Sequence, residues 1–173
     1  MESNPMREPV IDKVTVNVGV GSPGDRMDGI KAVMEKLAGS KFIETKARKR
    51  NPVFKLRVGL PIGLKTTLRG KKALDFLNRA LDSRKRKISA SYFDKLGNFS
   101  FGVKEYIDFP GAKYNPAVGV FGFDVCVTLK RRGKRVSERM RVPGKTGRKH
   151  LLTKEDGVEF AKSKLNAKME EVL

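Results

Sequence analysis

Few side chains in this sequence could carry out catalysis, and they do not form a recognisable group. His150 is the single histidine and Cys126 the single cysteine among 173 residues. A nucleophile activated by histidine, or a zinc site built from cysteine and histidine, would therefore lack members. A single cysteine also excludes an internal disulfide, which is typical of a protein from a reducing compartment. The sequence thus predicts a protein with no catalytic residues, metal or cofactor.

A glycine-rich segment is the one motif that could bind a nucleotide. Residues 19–24 read Gly-Val-Gly-Ser-Pro-Gly after a strand-like segment, as in the turn of dinucleotide-binding folds. The first strand of such a fold is buried on both faces, whereas the segment before this turn alternates between apolar and polar residues. A glycine turn leading into a helix capped by Ser22, with Pro23 in its first turn, is therefore favoured. A nucleotide-dependent enzyme remains an alternative.

Positive charge is the dominant chemical feature of the chain. Its 38 Lys and Arg against 19 Asp and Glu give a formal net charge of +19, which repels itself unless a polyanion neutralises it. The cations are concentrated at residues 46–50, 84–87 and 130–149. Neither secretion nor a membrane span is expected, because the sequence shows no apolar secretion signal and no sufficiently long apolar segment, and the basic runs lie mostly outside the apolar periodicity. Nucleic acid is therefore the expected partner, with no membrane.

Two predicted strands add hydroxyl and amide groups to this charge. Strict alternation with apolar residues places polar side chains on one face of each strand. These side chains are Lys13, Thr15 and Asn17 in the first strand and Lys65, Thr67 and Arg69 in the second. Cations attract phosphates regardless of sequence, while hydroxyl and amide groups bind sugars, 2′-hydroxyls or base edges. The combination favours structured RNA as the ligand.

Apolar periodicity predicts the elements that must position these residues. Three helices are predicted, with apolar stripes at Met27, Ile30, Met34 and Leu37, at Leu74, Leu77 and Leu81, and at Val158, Ala161, Leu165 and Met169. Gly39 is expected to end the first helix, and Thr153 with Asp156 to cap the last. Further strands are predicted at residues 41–45, 53–58, 99–103 and 121–129, with a turn at Pro61 and Gly63.

These elements predict an α+β fold. It has a mostly antiparallel sheet, helices packed on one face, an open polar face and a basic C-terminal extension. Residues 1–129 are expected to form the core, and residues 130–173 a basic arm with a C-terminal helix that docks on the same domain. Phe99 and Phe101 resemble the base-stacking aromatics of RNA-recognition strands, but they share a face with Val103, so packing in the core is favoured.

Several motifs, in order along residues 9–129, resemble the ribosomal protein L5 family, which binds 5S rRNA in the large subunit. The motifs lie at residues 13–21, 45–49, 54–57, 61–63, 67–70, 97–103 and 109–110. The basic segment 130–173, and the lack of a helix ahead of the first strand, are similar to archaeal and eukaryotic members. Several separate motifs in the same order are far more specific than any one of them.

The resemblance implies a set of contacts inside a cytoplasmic ribosome. The polar sheet face is expected to bind 5S rRNA through Lys13, Thr15, Asn17, Lys65, Thr67 and Arg69. The loop with Lys46, Arg48, Lys49, Arg50 and Asn51 is expected to contact P-site tRNA. The resemblance also implies protein partners in the central protuberance and at a small-subunit bridge. It does not assign the contacts of the basic arm; other RNA contacts are expected there at Arg131, Arg132, Lys134 and Arg135, with large-subunit rRNA among the expected partners. A free-standing RNA chaperone is another alternative.

Overall fold

The computed structural model describes residues 4–21 and 24–170. Its strands are β1 (Pro9–Gly19), β2 (Ile43–Lys46), β3 (Pro61–Leu68), β4 (Lys87–Ser89), β5 (Phe99–Val103), β6 (Phe123–Arg131) and β7 (Lys168–Glu170). Its helices are α1 (Asp25–Ala38), α2 (Gly70–Ser83), α3 (Arg135–Glu138) and α4 (Lys154–Leu165). Five strands form one antiparallel sheet in the order β2-β3-β1-β6-β5, and β4 pairs in parallel with β7. The α+β prediction is confirmed.

The long helices cover one face of the large sheet, where β1 buries Val14, Val16 and Val18 completely. The stripe predicted for α1 is confirmed, because all four of its apolar residues are buried and Gly39 ends the helix with a φ of 61°. The α2 stripe was partly wrong. Leu74 is 43% exposed, and Phe76 packs in the core instead. The buried residues of α2 recur every three or four positions from Ala73, so Leu74 lies on the other side of the helix and faces solvent.

The C-terminal helix packs into the same core as the sheet. The predicted cap is confirmed, since Thr153 accepts a hydrogen bond from the Asp156 N–H and the Asp156 carboxylate accepts one from the Thr153 N–H. Phe160, Ala161 and Leu165 are buried in the core. The assignment of Met169 to this helix is wrong, because the helix ends at Leu165 and the next residue, Asn166, caps it in a left-handed conformation with a φ of 50°. Met169 lies in β7 instead, opposite Ile88 of β4.

The strand predicted at residues 53–58 is absent, because this segment folds into a tight turn. The N–H of Asn51 donates to the Leu56 carbonyl at 3.1 Å, and the Leu56 N–H returns a bond of 2.9 Å to the Asn51 carbonyl. Lys55, inside the turn, has a φ of 53°. The turn predicted at Pro61 and Gly63 is also wrong, since both residues lie in β3.

The glycine segment after β1 does not belong to a dinucleotide-binding fold. Such folds use parallel strands, whereas β1 pairs antiparallel with both β3 and β6. Ser22 and Pro23, the expected cap and first-turn proline, lie outside the described residues, and Gly24 directly precedes α1. Packing of Phe99 and Phe101 in the core is confirmed, because both rings are buried on the helix side of the sheet. They are therefore unavailable for base stacking.

Gly97, in the turn before β5, allows α4 to approach the sheet closely. Its φ is +73°, and a Cβ there would lie 2.6 Å from the Thr153 carbonyl oxygen. We expect Gly97→Ala to lower the free energy of unfolding by about 2 kcal/mol, because it combines left-handed strain of ~1 kcal/mol with displacement of α4. Urea denaturation followed by circular dichroism measures this loss.

Gly119→Ala is the matched control for this substitution. Gly119 has a φ of +72°, but a Cβ there meets no atom within 4 Å. This variant therefore introduces the backbone strain without the steric contact. Equal losses of stability in the two variants would show that close approach of Gly97 to α4 is not required.

Candidate nucleic-acid interface

The open face of the sheet brings the expected RNA-binding residues onto one surface. Strand register places Thr15 opposite Thr67, Asn17 opposite Lys65, and Lys13 opposite Thr128 of β6. The six side chains expected at this face are Lys13, Thr15, Asn17, Lys65, Thr67 and Arg69, which directly follows β3. Lys13 and Thr15 are half-buried and the other four are exposed. We call this surface the polar face.

Strands β5 and β6 widen the polar face beyond the residues singled out from the sequence. Ser100 lies opposite Cys126, and Cys126 lies opposite Thr15. Asp124 and Thr128 occupy the neighbouring polar-face positions of β6, and alternation with the buried valines of that strand is the signal that could have found them. Burial and the negative charge of Asp124 raise the pKa of the Cys126 thiol. The thiol is therefore a weak nucleophile in the middle of the polar face.

At one end of the polar face a bulge in β1 introduces an acid among the cations. Ile11 pairs with Leu129 and Lys13 with Thr128, which leaves Asp12 as an extra residue. The Asp12 side chain is only 6% exposed. Its carboxylate accepts a hydrogen bond of 3.1 Å from Arg69 Nη1 and lies 2.6 Å from Lys130 Nζ. No sequence pattern marks Asp12, because the bulge depends on the register between two distant strands.

The charges around Asp12 determine its protonation. Burial acts to raise the pKa of its carboxyl group, but the hydrogen bond from Lys130 and the charges of Lys130, Arg69 and Lys13 outweigh burial and lower the pKa. The carboxylate therefore stays ionised at neutral pH. The Asp12 carboxylate thus interacts with the positive charges of Lys13 in β1, Lys130 in β6 and Arg69 after β3.

The basic loop, residues 46–60, projects from the opposite end of the sheet. Ala47 anchors its base, since its N–H donates to the Leu60 carbonyl at 2.8 Å and its carbonyl accepts from the Gly59 N–H at 2.9 Å. The expected RNA-contacting cations Lys46, Arg48, Lys49 and Arg50 are all exposed. Asn51 is half-buried, and its side chain accepts a hydrogen bond from the Val53 N–H within the turn. At the tip, Phe54 is 70% exposed.

Some of the basic residues outside these surfaces are engaged within the chain. Arg131 is 13% exposed, and its guanidinium donates to the Asp156 carboxylate at 2.9 Å and to the Lys149 carbonyl at 3.2 Å. Arg84 and Arg86 donate to backbone carbonyls of Gly102 and Leu165. The other arm residues expected to contact RNA are more accessible: Arg132 and Arg135 are exposed, and Lys134 is half-buried, 3.6 Å from the Glu138 carboxylate. Arg131, the last residue of β6, therefore attaches the sheet to α4 and to the backbone of Lys149.

An antiparallel sheet with helices on one face and an open cationic, hydroxyl-bearing face defines a class of sheet-based RNA-binding proteins. Two family models match the chain: "Ribosomal protein L5" at residues 4–57 and "ribosomal L5P family C-terminus" at residues 61–160. Similar curated proteins are each named "Large ribosomal subunit protein uL5". Those of Methanococcus maripaludis strain S2 and Methanococcus vannielii are 47% and 48% identical, over 97% of this chain and 94% of the relative.

The chain belongs to the ribosomal protein L5 family. The resemblance noted from the sequence motifs, including its archaeal character, is thereby confirmed. Proteins of this family are structural components of the ribosome, so the chain is not an enzyme and the nucleotide-dependent alternative is set aside. Within residues 4–21 and 24–170, no helix has the length and apolar character needed to cross a membrane.

The lowered pKa of Asp12 makes part of the stability of the fold dependent on pH. A carboxyl group with a folded pKa below its ordinary value of 3.8 stabilises the fold fully above that value, and the contribution is lost as the pH falls through the folded pKa. We expect the difference in unfolding free energy between the wild type and Asp12→Asn to be constant near neutrality and to shrink in acid. Urea denaturation over a pH series measures it. If the difference in unfolding free energy is the same at about pH 3 and about pH 7, the ion pairs of Asp12 do not stabilise the fold.

Proposed function

We propose that the chain is a structural constituent of the large ribosomal subunit that binds 5S rRNA through the polar face and contacts P-site tRNA through the basic loop. The observation that carries this proposal is the assembly of six cationic, hydroxyl and amide side chains on one open sheet surface. The chain acts in the cytoplasm, within the ribosome. Neighbouring proteins of the central protuberance and a small-subunit bridge protein are the proposed protein partners.

The composition of the polar face is suited to a folded RNA. Lys13, Lys65 and Arg69 can neutralise phosphates, which supplies affinity without regard to sequence. Thr15, Thr67 and Asn17 add donors and acceptors for 2′-hydroxyls and base edges, through which a protein recognises RNA. Because the helices pack on the opposite side of the sheet, the RNA can occupy this face without disturbing the core.

The position of the basic loop supports a contact with a second RNA. The loop leaves the sheet where Lys46 pairs with Pro61, at the end opposite Asp12 and Arg69. It can therefore reach beyond an RNA bound to the polar face. Its exposed cations suit a phosphate backbone, and the exposed ring of Phe54 offers a surface on which a nucleobase or ribose can pack.

The arm contributes further contacts in this proposal. Arg132 and Arg135 are exposed just beyond the end of β6, and Lys134 lies between them. We assign these three residues to large-subunit rRNA. Arg131 is left out of the RNA contact, because its guanidinium already binds Asp156 and the Lys149 carbonyl.

Asn17→Ala and Thr67→Ala are expected to weaken 5S rRNA binding by about three- to tenfold each, the effect of losing one or two hydrogen bonds. Both side chains are exposed, so the fold should be retained. Fluorescence anisotropy with labelled 5S rRNA measures the affinity, and thermal unfolding checks the fold. Asn78→Ala, in the helix layer on α2, is the matched control. Wild-type affinity in both polar-face variants would remove these residues from the interface.

The single cysteine gives this experiment an independent readout. Cys126 lies opposite Thr15 on the polar face, so bound 5S rRNA should slow its alkylation. The comparison is made at alkaline pH, where the raised pKa of the thiol still permits reaction. An alkylation rate unchanged by saturating 5S rRNA would place the RNA on another surface.

Replacing Lys46, Arg48, Lys49 and Arg50 together by Ala is expected to spare 5S rRNA binding and to weaken P-site tRNA binding by roughly tenfold at low salt, because phosphate contacts are lost from one RNA only. The variant is assembled into large subunits, and tRNA affinity is measured on the resulting ribosomes. The control removes four exposed lysines from the helix layer: Lys36, Lys154, Lys162 and Lys164. Loss of both activities in the loop variant would assign the loop to the 5S rRNA contact instead.

A further inference from the structure

The buried acid at the end of the polar face has no role in the contacts proposed so far. A carboxylate beside an RNA-binding surface repels phosphates, so charge alone argues against placing Asp12 there. Yet its side chain is almost fully enclosed and joins Arg69 and Lys130 directly. The three positions come from β1, from the residue after β3 and from β6, which are distant in sequence and adjacent in space.

We propose that Asp12 is a positioning residue for RNA binding, whose carboxylate fixes the head groups of Arg69 and Lys130 at the edge of the polar face. This inference rests on the proposed binding of 5S rRNA to that face. Asp12 itself does not touch the RNA. It acts on the RNA only through the two cations that it holds.

The geometry leaves both cations available to a ligand. Arg69 remains 62% exposed although its Nη1 binds Asp12. A guanidinium has five N–H donors and an ammonium has three. One donor from each cation is directed at Asp12, so the rest can bind phosphate oxygens. Asp12 therefore fixes the orientation of these side chains without consuming their capacity to bind.

Holding the cations before the ligand arrives lowers the cost of binding. Free Lys and Arg side chains lose rotamer entropy when they are ordered. Lys13, Arg69 and Lys130 also repel one another, and the carboxylate between them offsets that repulsion. Without Asp12 the cations would spread into solvent, and binding would have to order them again.

The sign of one mutational effect separates positioning from simple electrostatics. Asp12→Asn raises the net charge by one, so electrostatics alone predicts tighter RNA binding. The proposal predicts the reverse, a loss of about fivefold in affinity for 5S rRNA, the order expected when charge-assisted contacts are loosened. Asp75→Asn is the matched control, since Asp75 is exposed on α2 in the helix layer and forms no salt bridge within the part of the chain that the structure describes. It should bind as tightly as the wild type or more tightly.

Fluorescence anisotropy with 5S rRNA at fixed salt compares the wild type with both variants. Weaker binding by Asp12→Asn alone supports the proposal, and binding equal to or tighter than the wild type overturns it. Should Asp12→Asn fail to fold, Asp12→Glu keeps the net charge but moves the carboxylate out of the bulge. That variant should also bind more weakly, and unchanged affinity would overturn the proposal.

The outcomes distinguish this inference from the proposed function. In one outcome the wild type binds 5S rRNA, Asn17→Ala and Thr67→Ala bind more weakly, and Asp12→Asn binds like the wild type. This outcome shows that Asp12 does not position the cations for RNA binding, and it leaves the proposed role of the polar face unchanged. A wild type that does not bind 5S rRNA overturns both proposals.

Discussion

The alternation of apolar and polar residues along β1 is the constraint on which the rest of this structure depends. The strand lies between β3 and β6, so its even-numbered valines must enter the core while its odd-numbered polar residues face outward. A shift of one residue would bury Lys13 and Asn17 and expose the valines. The same register that completes the hydrophobic core therefore creates the polar face. The bulge at Asp12 interrupts the alternation only at the end of that face, where it brings an acid to the cations.

The sequence predicted the polar face well because a period of two is a local signal. It failed where the outcome depends on partners far along the chain. Residues 53–58 alternate like a strand, but their backbone closes on itself between Asn51 and Leu56. Met169 fits the helical stripe of α4, but it pairs with β4 instead. Asp12 was missed for the same reason, since a bulge exists only relative to its neighbouring strand.

A run of basic residues in the sequence does not by itself identify a binding surface. Residues 84–87 are as basic as the loop at 46–50, yet Arg84 and Arg86 donate to the backbone carbonyls of Gly102 and Leu165. Arg131 likewise joins β6 to α4. The four cations of the basic loop, and Lys65 and Arg69 of the polar face, differ from these because their side chains are exposed. Exposure, more than local charge density, distinguishes the two groups.

The sheet order also restricts when this surface can exist during synthesis. β6 is the sixth strand to be made, yet it lies between β1 and β5 and joins them. A nascent chain that has emerged only as far as β5 has neither the central pairing of Val14 with Val127 nor a completed outward surface. Long-range pairing of this kind is slow to form. Recognition of a nucleic acid by the complete surface is therefore a late event, which follows emergence of the chain at least as far as Arg131, the last residue of β6.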